Sequence, residues 1–398
     1  MKVALLVVGF GILIVVEILR VYYIMPFPGS QEELTIGIAY YLHNNINYFR
    51  LLGLAMASWP FLHYVRQGAW LARTVAWVVF GFYFLIFYMF NFQYRADTMF
   101  LQMKRKDFKS ASENKKIRPK QLVIGVERNG ESKAYPIEVI GYHHQVRDSI
   151  GGDPVMVTYC TVCRTGRVFS PLVDGKPENF RLVGMDHYNA MFEDGTTKSW
   201  WRQVSGEAIV GPLKGRSLTE IPSFQMTLAE WTFQHPNTKI LQPDTVFKEA
   251  YEGWKDYDEG RQKGRLERKD SLSWQKKSWV VGVQIGMAST AYDWIQLQEQ
   301  RVINDEVNGI PILVLANPDS MSFHVYERSL EGDALTFSQT DDGMRITDSK
   351  TGSRWNWDGR CDEGLLKGRM LKPVQAYQEY WHSWLTFHPL TRQYTKND

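Results

Sequence analysis

Two stretches of this chain carry the same residues in the same order, and no other feature restricts its fold so strongly. Residues 123–157 lie over 280–314: Gly125 meets Gly282, Ala134-Tyr135 meets Ala291-Tyr292, Asp148 meets Asp305 and Pro154 meets Pro311, all at an offset of 157. After a short deletion the register resumes at 154, where Asp194, Thr197, Ser199 and Trp201 meet Asp348, Thr351, Ser353 and Trp355. It closes at 153, with residues 211–216 over 364–369, Trp231 over Trp384 and His235-Pro236 over His388-Pro389. So many matches in one order predict two copies of one module. They span 120–250 and 277–398, with a charged linker over 251–276.

The module reads as mostly strand. Residues 122–135 predict a hairpin turning at Asn129-Gly130, the dipeptide that most favours a two-residue turn. Residues 154–159 and 311–315 are short, wholly apolar strands, and 169–180 predicts a second hairpin turning at Asp174-Gly175. Residues 227–235 and 374–388 read as short helices stopped at His-Pro, because proline disfavours helix in the residue before it. The 14% aromatic content suits pleated sheet, on which flat rings pack well. The expected class is mainly β (α+β): two pseudo-repeated β-rich modules behind about three N-terminal transmembrane helices.

Those helices are expected from three apolar runs, at 3–25, 51–65 and 70–92. About 20 apolar residues span a bilayer; the first and third runs meet that length and the second is short. Glu17 and Arg20 interrupt the first. Residues 21–28 offer no small-residue cleavage site, so a cleaved signal peptide is not expected. The reading is a membrane anchor over 1–95 with the lipid bilayer as partner, then a basic linker over 96–119. Arg95, Lys104, Arg105, Lys106 and Lys109 follow the third run, and this basic flank favours a cytoplasmic C-terminal body. The formal net charge of +3 gives no reason to expect nucleic acid as a partner.

Positions kept in both copies are fold positions; those present in one are candidates for function. Copy one has Cys160-Thr-Val-Cys163 directly after its apolar strand, where copy two has Asn317 and Ser320. Copy one has His143-His144, where copy two has Gln300 and Arg301, and it alone has a histidine at the His187 position. Thiols and imidazoles are therefore absent together from copy two. Two cysteines two residues apart can place both sulfurs on one ion, and imidazole completes the shell. Such a set suits zinc or copper, held by Cys160, Cys163 and His144, His187 or His143. Adjacent histidines alternate faces on a strand, so one of the pair points inward, and His144 is preferred.

Two other readings stand beside the metal site. One is a C-x-x-C thiol–disulfide redox protein, although no βαβ pattern surrounds the motif. The other is a metal-free module that binds a small ligand or protein, with a structural cysteine pair. Arg164 and Arg167 also occur only in copy one; copy two has Met321 and His324. They can lower a thiol pKa or hold an anionic ligand. Cys361 has Ala208 as its nearest counterpart and reads as a buried structural residue. No phosphate-binding glycine loop and no Ser/His/Asp order is present, so the sequence names no reaction.

At residues 141–148, 159–169 and 199–203 the chain resembles an uncharacterised prokaryotic family, domain of unknown function 3179. Ala134-Tyr135-Pro136, Gly206-x-Ala208-x-x-Gly211 and Trp231 with His235-Pro236 fit the same pattern. The likeness is dense over 120–242 and thins to scaffold positions in copy two, which lacks both cysteines. It implies an exported or membrane-attached body, opposite to the orientation the basic flank favours, and it implies no activity, cofactor or substrate.

Overall fold

A computed structural model describes residues 1–31, 35–260 and 272–396. Residues 261–271 of the expected linker lie outside the described residues. The chain divides into two compact units: 1–101 with 178–217, and 102–177 with 218–398. The segment expected as one module, 120–250, thus contributes to both.

In the larger unit, Leu122–Arg128 and Glu131–Pro136 pair antiparallel. Asn129 and Gly130 between them are both left-handed, with φ of 49° and 78°, as a tight hairpin turn requires. Phe224–Thr227 adds to the outer edge of the first strand, and Lys239–Leu241 adds parallel to the second. Trp279–Ile285 and Ala288–Asp293 form the corresponding hairpin, flanked by Ala376–Tyr380 and Arg392–Gln393 in the same senses. A three-stranded meander follows each hairpin. The first is Gln145–Ile150, Asp153–Cys160 and Thr165–Phe169. The second is Val302–Val307, Ile310–Ala316 and Phe323–Glu327.

Positions matched in sequence have matched contacts. The Tyr135 hydroxyl donates to Asp148 at 2.7 Å and the Tyr292 hydroxyl to Asp305 at 2.6 Å. Trp231 Nε1 donates to Thr238 at 2.8 Å and Trp384 Nε1 to Thr391 at 2.9 Å. Each of these two indole rings lies flat against a glycine of the first hairpin strand. A Cβ on Gly125 would come within 2.3 Å of the Trp231 ring, and one on Gly282 within 2.3 Å of the Trp384 ring. Gly125→Ala and Gly282→Ala are therefore each expected to cost about 1–3 kcal/mol through overpacking, read as a lowered urea midpoint.

Residues 374–388 differ from expectation. Ala376–Tyr380 is a strand and only Trp381–Phe387 is helical. The edge of Trp279–Ile285 captures the first part, which a single-chain helix signal does not register. The Asp174-Gly175 turn joins only the short strands Leu172–Val173 and Lys176–Pro177.

In the smaller unit, Lys2–Tyr22 and Trp70–Gln93 are each long and apolar enough to cross a membrane. Between them Ile36–Gln67 is one 32-residue helix, of which the expected apolar run 51–65 is the later half. Gly9 packs against Gly53 and Ala57, close enough that a Cβ on Gly9 would stand 2.8 Å from the Ala57 backbone. Small residues at such a crossing let helix backbones approach. Glu17 and Arg20, which interrupt the first apolar run, are buried and paired. Glu17 accepts from Arg50 Nε at 2.6 Å, from Arg20 Nε at 3.2 Å and from Asn91 Nδ2 at 3.0 Å. Asn91 sits in a π-helical turn, Met89–Gln93.

The same unit holds a four-stranded antiparallel sheet: Phe180–Asp186, Asn189–Asp194, Trp200–Arg202 and Ala208–Val210. Its apolar face, Val183, Met191 and Trp200, packs on Ile24 and Ala39. The matching strands at 337–363 instead cover Leu313, Leu315 and Tyr326 of their own half, with Cys361 buried among them. Both sheets turn on a carboxylate that caps its own loop. Asp194 accepts from Thr197 Oγ1 at 2.7 Å and Trp201 Nε1 at 2.9 Å; Asp348 accepts from Thr351 Oγ1 at 2.9 Å and Trp355 Nε1 at 3.0 Å.

Candidate functional site

The strand Asp153–Cys160 is paired on both edges and buried from Val155 onward, which is why that part is mostly apolar. It ends at Cys160, opposite Thr165. Residues 161–164 turn the chain back, and Arg164 closes the turn in the left-handed region at φ 56°. A side chain there costs roughly 1 kcal/mol, so other contacts must hold it.

They come mainly from the C-terminal half. Arg164 is fully buried and donates to the carbonyls of Asp258 at 2.8 Å and Tyr257 at 3.3 Å, and to Gln378 Oε1 at 3.2 Å. Its guanidinium lies 3.6 Å from the centre of the Trp279 ring, a cation–π stack shielded from water. Arg167, 2% exposed, pairs with the fully buried Glu379 at 2.6 Å and stacks 3.2 Å from the Tyr377 ring centre. Glu379 also accepts from Thr165 Oγ1 at 2.8 Å and Ser383 Oγ at 3.0 Å. Both arginine charges are thus committed inside the protein.

Cys160 and Cys163 are thiols with no exposed surface. They are in hydrogen-bond contact with each other, and Cys163 also meets Ser383. Burial pushes the Cys163 thiol well up, and the neighbouring Cys160 adds to the rise. Arg164 and Arg167, both engaged elsewhere, do not offset this effect of burial. The backbone of the turn is clasped as well. Tyr380 N donates to Cys163 O at 2.9 Å, Lys277 Nζ to Val162 O at 3.1 Å, and the Tyr257 hydroxyl to Thr161 O at 2.8 Å.

The histidines stand differently. His143 and His144 are not on a strand: Ile137–His143 is a helix, and His144 is its left-handed C-cap at φ 59°. His143 Nε2 lies 2.7 Å from the Tyr251 hydroxyl. His144 Nδ1 faces the Tyr142 carbonyl at 3.3 Å, and burial holds its ring down to about 4. His187 belongs to the smaller unit. Its Nδ1 meets Asp186 at 2.7 Å, and that hydrogen bond raises its pKa. Among the described residues no group of three or more His, Cys, Asp or Glu side chains is arranged to hold a metal ion. The structure brings the two thiols together.

Sequence reasoning missed Glu379, Ser383, Tyr257 and Asp258. Glu379 left a signal: at the 153 offset it lies over Met226, a charged residue against an apolar one at a strand position.

A profile of a protein family described as a protein of unknown function (DUF3179) matches residues 102–391. No curated protein and no solved structure matches the chain.

Proposed function

The chain belongs to the DUF3179 family, which carries no named activity, and from its own residues we propose a membrane-anchored dithiol protein whose Cys160–Cys163 pair cycles between two thiols and a disulfide. The hydrogen-bond contact between the two sulfurs carries this reading. One thiolate attacks a disulfide of a partner molecule, and the second resolves the mixed disulfide. One S–S bond forms at residues 160 and 163, the partner's S–S bond breaks, and two electrons and two protons pass to the partner; in the return step a dithiol donor breaks the Cys160–Cys163 bond, gives it two electrons and two protons, and is itself left as a disulfide. Ser383, between Cys163 and Glu379, offers a route for the proton leaving Cys163.

In this reading the two halves are copies of one module, and the second has become the clasp for the first. The matched Tyr–Asp and Trp–Thr contacts support it. Ile36–Gln67 serves as a third span, and the body faces the extracytoplasmic side, where disulfides persist. A second reading rests on the same contact: two thiolates suit a soft cuprous ion, whereas a zinc site needs three or four protein ligands.

Diamide oxidation of the purified protein, followed by denaturing alkylation and peptide mapping, tests the proposal. A Cys160–Cys163 disulfide two hydrogens lighter, with Cys361 alkylated, is the expected result. Recovery of both thiols alkylated after oxidation contradicts it, and about one equivalent of copper, lost in Cys163→Ser, favours the second reading.

A further inference from the structure

The two apolar helices Lys2–Tyr22 and Trp70–Gln93 are joined at one end. Glu17 of the first accepts from Asn91 Nδ2 of the second at 3.0 Å. Phe10 packs edge-on against Tyr83, with 6.1 Å between ring centres. Toward the Lys2 end the same two helices enclose a groove of about 580 Å³, walled by Val3, Val7 and Gly11 of one and Leu71, Val75 and Val79 of the other. A Cβ on Gly11 would meet no neighbouring atom within 4 Å, whereas one on Gly9 would stand 2.8 Å from the Ala57 backbone. The first helix is thus packed on one side and open on the other. We propose that the groove holds one acyl chain of an anionic phospholipid, with the headgroup drawn by Lys2, Arg66 and Arg73. This rests on the membrane anchor proposed above and not on the thiol chemistry.

Length selects a chain over a helix. From Val3 to Ile14, both of which line the groove, the helix rises about 16 Å at ~1.5 Å per residue. That is the depth of one leaflet, since the hydrocarbon core is ~30 Å thick. A transmembrane helix of a second copy needs the full thickness, and the Glu17–Asn91 join closes the way. Charge selects the headgroup. Lys2 Nζ lies 3.1 Å from His63 Nε2 and 5.2 Å from the centre of the Trp59 ring, so it stands beside the end of Ile36–Gln67 that carries Arg66. Arg73 lies in the first turn of the helix that follows, and both arginines are exposed. No acidic residue occurs over 1–16 or 35–96, so nothing at this end offsets the three cations. In the orientation proposed above this end lies in the cytoplasmic leaflet, where the anionic lipids are.

Native mass spectrometry of the full-length protein in detergent, titrated with dioleoyl phosphatidylglycerol or dioleoyl phosphatidylcholine, tests this. One phosphatidylglycerol is expected to bind saturably, at least about tenfold more tightly than phosphatidylcholine. Gly11→Phe, which fills the open side of the helix, should weaken both lipids by about tenfold or more. Lys2→Gln, Arg66→Gln and Arg73→Gln together should lower phosphatidylglycerol to the level of phosphatidylcholine and leave the latter unchanged. Cys163→Ser should change neither. The proposal is overturned if the two lipids bind the wild type equally, if Gly11→Phe binds as the wild type does, if the triple variant keeps the preference, or if a protein dimer lost in Gly11→Phe appears in place of the lipid adduct. Carbonate washing of membranes tells the two failures apart: release of the protein removes anchor and site together, whereas retained protein without lipid preference removes the site alone.

Discussion

Replacing Glu379 with methionine, the residue at the matching position 226, is expected to destabilise the folded body by about 3–5 kcal/mol. The two side chains have similar volume, so an empty cavity is not the cause. Glu379 has no exposed surface and Arg167 is 2% exposed, so the substitution leaves a guanidinium inside the protein without its carboxylate. Losing one partner of a buried pair costs far more than losing both. Glu220 stands 3.7 Å from Arg167 Nε and is 35% exposed; it recovers only part of the loss across partly solvated space. The double change Glu379→Met with Arg167→Met should therefore restore most of the stability, a coupling readable in urea midpoints of the four proteins. If the double variant is as unstable as the sum of the singles, the ion pair is not what secures the cysteine turn.

The second large effect is on thiol reactivity. In a variant carrying Cys160→Ser and Cys361→Ser, Cys163 should react with iodoacetamide at pH 7.5 at least ~100-fold more slowly folded than in urea. Only the thiolate reacts, and burial raises the folded pKa well above the usual value. The rate should climb with pH, up to about tenfold per unit. Linkage gives the sign for stability. The folded state holds this proton more tightly than the unfolded chain, whose thiol ionises near ~8.5. The stability so gained is complete below that pH and is lost as pH rises toward the folded value. Equal rates in the two states would mean that Cys163 is not buried in solution. A cycling pair of this kind thus reacts through opening of the clasp formed by Tyr380, Ser383 and Lys277.

The parts legible in the sequence are those set by local chemistry. Asn129-Gly130 determines its own turn, the apolar runs at 154–159 and 311–315 can only be covered strands, and Trp231 with His235-Pro236 ends a helix. Asp194 and Asp348, matched at the 154 offset, each cap their own turn. The failures lie where a distant partner decides. Nothing in residues 178–217 says that the sheet packs on Ile24 and Ala39, since the matching strands at 337–363 share the pattern and pack elsewhere. His143 and His144 end a helix of seven residues, too short for a 3.6-residue period to show. Tyr257 and Asp258 fall in the charged linker, and contacts with the distant Leu122, Thr161 and Arg164 hold them in the interior. The cysteine pair was visible; the groups that clasp it come from more than 90 residues away.

The most direct test is an equilibrium redox titration of the full-length protein, in dithiothreitol buffers of graded potential, with acid trapping and mass analysis. The proposed function predicts one reversible two-electron transition between a dithiol and a Cys160–Cys163 disulfide, the same from either direction and absent in Cys163→Ser. Two thiols that stay reduced at every potential, in protein that remains folded, would contradict it.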